Sequence, residues 1–309
     1  MEQINHHPLY RVHTIDSAMN SLWDFYRKKF IPLFLTSFVM GLLLQYLSTL
    51  INLNEIQSIT TLDEMMVKLR EYLWPMIIVS VISLLFTTVL QYYIIYNPLD
   101  PENNILRSAL KSLRYFVLYM IIMVFLVIAA SFVLFLGLLL IVIGVLFAAI
   151  YVLMIYLFIL PVMMIEGPSI ANTITRTIKL AHRNFWSNIG WTAVFVVIIL
   201  VITTILSGLI LVPFTGKFFQ VFTNPSEASS LTEIFTNPLY IILSALVNAI
   251  TLPLLPIFAS ILYFNGRARE EEKSSWNIQK EDSVGDNLKV EDLYSRPHSD
   301  ENSDKPENS

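Results

Sequence analysis

No cysteine occurs anywhere in the 309 residues, so the chain has no disulfide framework, no thiolate metal site and no cysteine nucleophile. Charge is scarce too. Asp, Glu, Lys and Arg make up 14% of the chain, against about a quarter in ordinary soluble domains, and from Tyr115 to Ile165 there is none at all. There is no glycine-rich phosphate loop, no nucleophile elbow and no histidine pair at helical metal-ligand spacing: His6 and His7 are simply adjacent. These absences argue against a soluble enzyme. No cofactor and no nucleic-acid partner are expected.

What the chain does have is apolar residue, 55% of the total, gathered in blocks of bilayer length. A hydrocarbon core about 30 Å thick takes about 20 residues of helix. Such blocks lie at Phe30 to Leu50, Trp74 to Tyr96, Tyr115 to Leu136, Val145 to Ile165, Asn188 to Leu211 and Leu239 to Phe264. The uncharged run from Tyr115 to Ile165 is about twice the bilayer thickness as one helix, so it is expected to fold back between Gly137 and Gly144. The predicted fold is an all-α polytopic membrane protein with about six transmembrane helices. It divides into an N-terminal segment (1–29), a membrane domain (30–265) and a tail (266–309).

Lysine and arginine favour the cytoplasmic ends of spans. Arg11, Arg27, Lys28 and Lys29 precede the first span; Arg107, Lys111 and Arg114 precede the third; Arg176, Lys179 and Arg183 precede the fifth; Arg267 and Arg269 follow the sixth. The alternate links hold only Lys68, Arg70 and Lys217. Both termini are therefore expected in the cytoplasm. The first apolar block starts too late for a cleaved signal peptide and is expected to be retained.

Each basic segment has a similar build. "TIDSAMNSLWDFYRKKF", "NNILRSALKSLRYF" and "SIANTITRTIKLAHRNFW" begin with a capping residue, continue amphipathically and end in cations and aromatics. The pattern predicts three units, each an interfacial amphipathic helix followed by a transmembrane hairpin. The alternative is the basic and aromatic belt common to any polytopic protein. Arg107, Lys111, Arg114, Arg176, Lys179, Arg183, Arg267 and Arg269 are the candidate contacts to lipid headgroups or a partner. In particular, Arg176, Lys179, His182 and Arg183 recur at helical spacing, the mark of a face exposed to lipid phosphate rather than of acid-base work with Glu166.

On the other side, "INLNEIQSITTLDEMMVKLREYL" has apolar residues at helical spacing and is expected to lie on the outer surface, and the two "FTNP" repeats are expected to be turns. Within the spans, Gln45, Gln91, Ser131 and Asn248 are expected to hydrogen-bond between helices. Pro253 and Pro256 predict a kink in the sixth span, with Pro161 as a weaker counterpart in the fourth.

The ending "ILYFNGRAREEE", Ile261 to Glu272, stops the last apolar block within a few residues. Tyr263 and Phe264 suit the headgroup layer, with Arg267 and Arg269 as anchors. From Glu270 onward the chain carries half of its 24 acidic residues and is expected to be a largely disordered, solvated tail, with a docking segment around Trp276 and "NLKVEDLY" as the less favoured alternative.

Two stretches, "ILYFNGRAREEE" and "EGPSIANTITRTIKLAHRNFWSNIG", resemble the membrane domain fused to some bacterial glycerophosphoryl diester phosphodiesterases, which also occurs as stand-alone proteins. The resemblance covers about Thr14 to Glu271 and implies a bacterial cytoplasmic (inner) membrane location. The fused phosphodiesterase barrel has no counterpart in the chain, so no enzyme activity is implied. The expected function is a non-catalytic membrane protein that scaffolds, anchors or regulates a partner, in contact with membrane lipids and an unidentified membrane or cytoplasmic protein. The alternative is a carrier or exporter of a lipid or other amphiphile.

Overall fold

The computed structural model describes residues 2–49, 61–223 and 234–287, and among them the regular structure is entirely helical. Six helical stretches are long and apolar enough to cross a membrane, making this a multi-pass helical membrane protein.

A short 3-10 turn (Glu2–His6) precedes α1 (Ile15–Lys28) and α2 (Phe30–Ser48). Thr14 and Ser17 form a capping box at the start of α1, whose inner face buries Ala18, Leu22, Phe25 and Tyr26. α3 (Leu62–Tyr96) and α4 (Ile105–Leu139) are 35 residues each, capped by the side chains of Thr61 and Asn104. α5 (Ile141–Glu166) turns back from α4 at Leu140, between the two glycines where the reversal was expected. α6 (Ile170–Arg183) leads into α7 (Phe185–Leu211), a short helix α8 (Thr215–Thr223) follows, and α9 (Pro238–Thr251) is followed by α10 (Leu254–Asn287). Residues 268–309 cluster as a unit separate from 1–267.

Three expectations change. The basic segment before the third span is not a separate helix: Ile105 to Arg114 is continuous with the span, because no glycine or proline interrupts "KSLRYF" and the Ser112 hydroxyl bonds back to the Ala109 carbonyl instead of capping a new helix. Before α2 and α7 the chain does break, at Lys29 and Asn184. The final span is broken rather than kinked, with α9 ending at Thr251 and α10 starting at Leu254 around Pro253; Pro161, by contrast, sits inside a continuous α5. The segment after Phe264 continues helical to Asn287, since its Arg, Ala, Glu and Lys are good helix formers whatever their polarity. Most of "NLKVEDLY" and the Asn-Pro pair of the first "FTNP", Asn224 and Pro225, lie outside the described residues. At the second "FTNP", Asn237 caps α9 and Pro238 takes its first turn. The outer segment from Leu62 on is simply the first part of α3.

α4 packs along both α3 and α5, and α2 packs most extensively along α9. The larger core cluster gathers Leu33, Ile94, Met154, Phe158, Phe195, Phe258 and Phe264, with Phe195 and Phe258 stacked at 4.1 Å. A second cluster joins Tyr92, Tyr115, Tyr119, Ile159 and Met163 between α3, α4 and α5. Outward, Val124, Phe125, Val127 and Ile128 of α4 are exposed, as helix faces in contact with lipid must be.

Candidate functional sites at two levels of the bundle

One end of the bundle is closed by an N-terminal strap, residues 4–14, for which no local sequence pattern predicted a docked structure. His7 is 2% exposed. Its Nδ1 lies 3.1 Å from the Leu9 N–H and its Nε2 lies 3.1 Å from the Ile94 carbonyl. A backbone N–H can only donate and a carbonyl can only accept, so the ring is neutral with its proton on Nε2. It packs against Phe264 at 4.5 Å and stacks on Phe25 at 6.2 Å. Burial holds its pKa down to about 4, against the partial support of the Ile94 carbonyl. His13 is also buried and held below its ordinary value by desolvation; its backbone N–H donates to Asn265 Oδ1 at 2.9 Å.

The closing motif is thus a set of locks rather than an interface anchor. Tyr263 is fully buried, and its hydroxyl donates to Glu166 Oε1 at 3.1 Å. Phe264 holds His7 and Tyr10, Asn265 holds the strap backbone, and Arg267 lies 3.8 Å from Glu166. Glu166 is the centre. Gly167, at φ 109°, ends α5 in a conformation that side chains other than glycine's rarely adopt. The turn brings α6 back so that Arg176 Nε donates to both carboxylate oxygens at 2.8 and 3.0 Å. Both side chains are mostly buried, 14% and 12% exposed.

Arg176 therefore does not sit on the exposed face expected of it. Lys179 and His182 do, His182 stacking on Phe185 at 5.6 Å; Arg183 is half-buried. Lys111 is exposed, Arg107 pairs with Glu102 at 2.8 Å on the surface, and Arg114 lies over the Tyr115 ring at 4.6 Å. Arg269 is half-buried in the second unit. The Glu166 hub was hidden in the sequence because its partners come from α6 and α10. The one available signal was a lone glutamate directly after an uncharged run of 51 residues, Tyr115 to Ile165.

The second site lies toward the opposite end of the spans. A cavity of about 260 Å³ opens between α2, α7 and α9. Its polar lining comes from Gln45 on α2, Thr203 and Ser207 on α7, and Tyr240, Ser244 and Asn248 on α9. At 1.5 Å per residue, Gln45 stands about 22 Å along α2 from its start at the strap end. The spacing is helical: Thr203 and Ser207 are one turn apart, and Tyr240, Ser244 and Asn248 form a row at every fourth residue. α2 and α9 meet closely at Gly41, where an added Cβ would lie 3.1 Å from the Ala245 carbonyl oxygen. That contact brings Gln45 and Asn248 to the same space. At the cavity's edge Tyr240 makes ring contacts with Phe214 and Phe235 at 6.0 and 5.3 Å.

Of the four polar residues assigned to interhelical bonding, Gln91 fulfils the role, donating to Ser260 Oγ at 2.7 Å. Ser131 bonds its own helix at Val127. Gln45 and Asn248 instead face the cavity. Searches of family profiles, of curated proteins and of solved structures found no match to this chain.

Proposed function

We propose that the protein is a non-catalytic carrier or exporter of an amphiphile, which it binds in the cavity between α2, α7 and α9. The observation that carries this reading is a polar-lined space of about 260 Å³ inside an otherwise apolar bundle. Polar side chains at membrane depth line substrate paths or bridge helices. Those that bridge, such as Gln91 and Ser260, leave no comparable space. The non-catalytic part draws support from Glu166, whose carboxylate is occupied by Arg176, Tyr263 and Arg267 and so is not poised for acid-base work. The test is a proteoliposome assay with a panel of fluorescent lipids. Protein-dependent movement of at least one class supports the reading, and no movement across a broad panel sinks it.

A second reading, a scaffold or anchor for a partner protein, is favoured by the exposure of Lys111 and Lys179. Reversing both charges should lower recovery of crosslinked partner, and unchanged recovery would argue against it. On either reading we place the basic end and both termini in the cytoplasm of a bacterial inner membrane, with the spans as three hairpins led by amphipathic segments. The lysine and arginine bias supports this, as does the resemblance to phosphodiesterase-associated membrane domains. Impermeant maleimide labelling of Val12→Cys in intact and in opened cells tests the orientation.

A further inference from the structure

The lining of the cavity also says what kind of headgroup it takes, an inference that rests on the amphiphile-binding reading. Every polar group in it is uncharged: four hydroxyls, from Thr203, Ser207, Tyr240 and Ser244, and two amides, from Gln45 and Asn248. An ionic headgroup placed there would lose its hydration without gaining a counter-charge, which is strongly unfavourable. Hydroxyls both donate and accept, and each amide offers two donors and an acceptor. Such a set is complementary to a ligand with several hydroxyls of its own.

The hydrogen-bonding state of these groups points the same way. Serine and threonine in membrane helices commonly bond a carbonyl one turn back, as Ser80, Thr88 and Ser131 do at 2.8, 2.7 and 2.9 Å. Among the described residues, the side chains lining the cavity have no such partner and keep their capacity for a ligand. Size agrees as well. A space of about 260 Å³ corresponds to roughly eight or nine waters and is below the range of about 300–1,000 Å³ that encloses a drug-sized molecule. It accommodates a headgroup while acyl chains stay in the bilayer against exposed Val39, Leu43 and Ile242.

We propose that the cavity binds an uncharged, hydroxyl-rich headgroup, such as the sugar of a neutral glycolipid. The experiment uses the full chain in phosphatidylethanolamine vesicles containing a trace of photoactivatable monoglucosyl diacylglycerol, with labelled peptides mapped by mass spectrometry. Competitors are unlabelled monoglucosyl diacylglycerol, phosphatidylglycerol, which carries hydroxyls together with a charge, and free glucose. The expected result is labelling around Gln45, Ser207 and Ser244 that falls at least fivefold with the neutral glycolipid and stays within twofold with phosphatidylglycerol. Competition by free glucose would support the same headgroup chemistry with a soluble source.

Ser207→Leu should lower labelling at least fivefold, and Ser131→Leu, remote from the cavity, should leave it unchanged. Equal competition by phosphatidylglycerol would overturn the uncharged class and leave the amphiphile reading standing. No specific labelling of the cavity by this probe or by a photoactivatable phosphatidylglycerol would overturn both. The competition series uses only the unaltered protein, so it decides the matter even where a variant fails to fold.

Discussion

The strap end and the cavity differ in how they treat polar groups. At the strap end a carboxylate, two guanidinium groups, a phenol and two imidazoles are buried together, and the described contacts pair them with one another or with the backbone. In the cavity the polar groups carry no charge and line open space. A charge in a poorly solvated site must be paired, so it specifies its neighbours and locks the structure. Neutral hydroxyls and amides cost less to leave facing a wet or ligand-filled space, so that region can remain receptive. The first region reads as architecture and the second as function.

The contrast is broken most forcefully at Glu166. Glu166→Ala removes the carboxylate that Arg176 and Arg267 share in a mostly buried setting, and the expected loss is about 3–5 kcal/mol of unfolding free energy, measured by denaturant titration in detergent micelles. A loss below about 1 kcal/mol would mean that the pair behaves as an exposed one and that the strap end is not a lock.

Acid should act on the same end with somewhat smaller effect. His7 has a folded pKa of about 4 against 6.5 when released, so between those values the released state binds more protons and the docked strap loses stability as pH falls. The full contribution is present above about pH 6.5, and roughly 3 kcal/mol is lost by about pH 4. His13, also depressed, adds in the same direction. Because the chain lacks cysteine, a single Leu9→Cys reports on the buried strap: maleimide reactivity corrected for thiolate fraction should rise as pH falls from 7 to 4.5. His7→Phe in the same background should flatten that rise, and an unchanged profile would remove His7 as its cause.

At the cavity, Gly41→Val should push α2 from α9, because the new side chain meets Ala245 backbone at 3.1–3.2 Å. Overpacking of this kind costs about 1–3 kcal/mol, and lipid movement should fall with it. The smallest effect on stability is expected for Ser207→Leu, within about 0.5 kcal/mol, measured by thermal unfolding in the same micelles. A larger loss would show that Ser207 holds the bundle together and would remove the contrast between the two regions.

Sequence reasoning reached the spans well because bilayer thickness imposes a length on apolar helices that needs no tertiary information. It placed the reversal near Leu140 for a similar reason, since an uncharged run of that length has to fold back. It misplaced Arg176. The spacing Arg176, Lys179, Arg183 is that of one helical face, yet α6 turns that face partly toward the end of α5, where Glu166 lies. The anchoring of His7 and His13 was not legible in the sequence because the partners, Ile94 for the His7 ring and Asn265 for the His13 backbone, lie 87 and 252 residues away. Gln45 and Asn248 were recognised as polar positions within spans, but their meeting depends on α2 lying against α9, a pairing of first and last spans that no local pattern encodes.

By itself, then, the sequence determined a helical chain with six stretches able to cross the membrane, a distortion of the last span near Pro253 and the concentration of positive charge at alternate links. These follow from hydrophobic length, backbone chemistry and the cost of charge in lipid, all local properties. Only the tertiary structure decided which polar residues are spent on one another and which remain open. That distinction depends on distances between residues on different helices, and those distances are set by how the bundle packs.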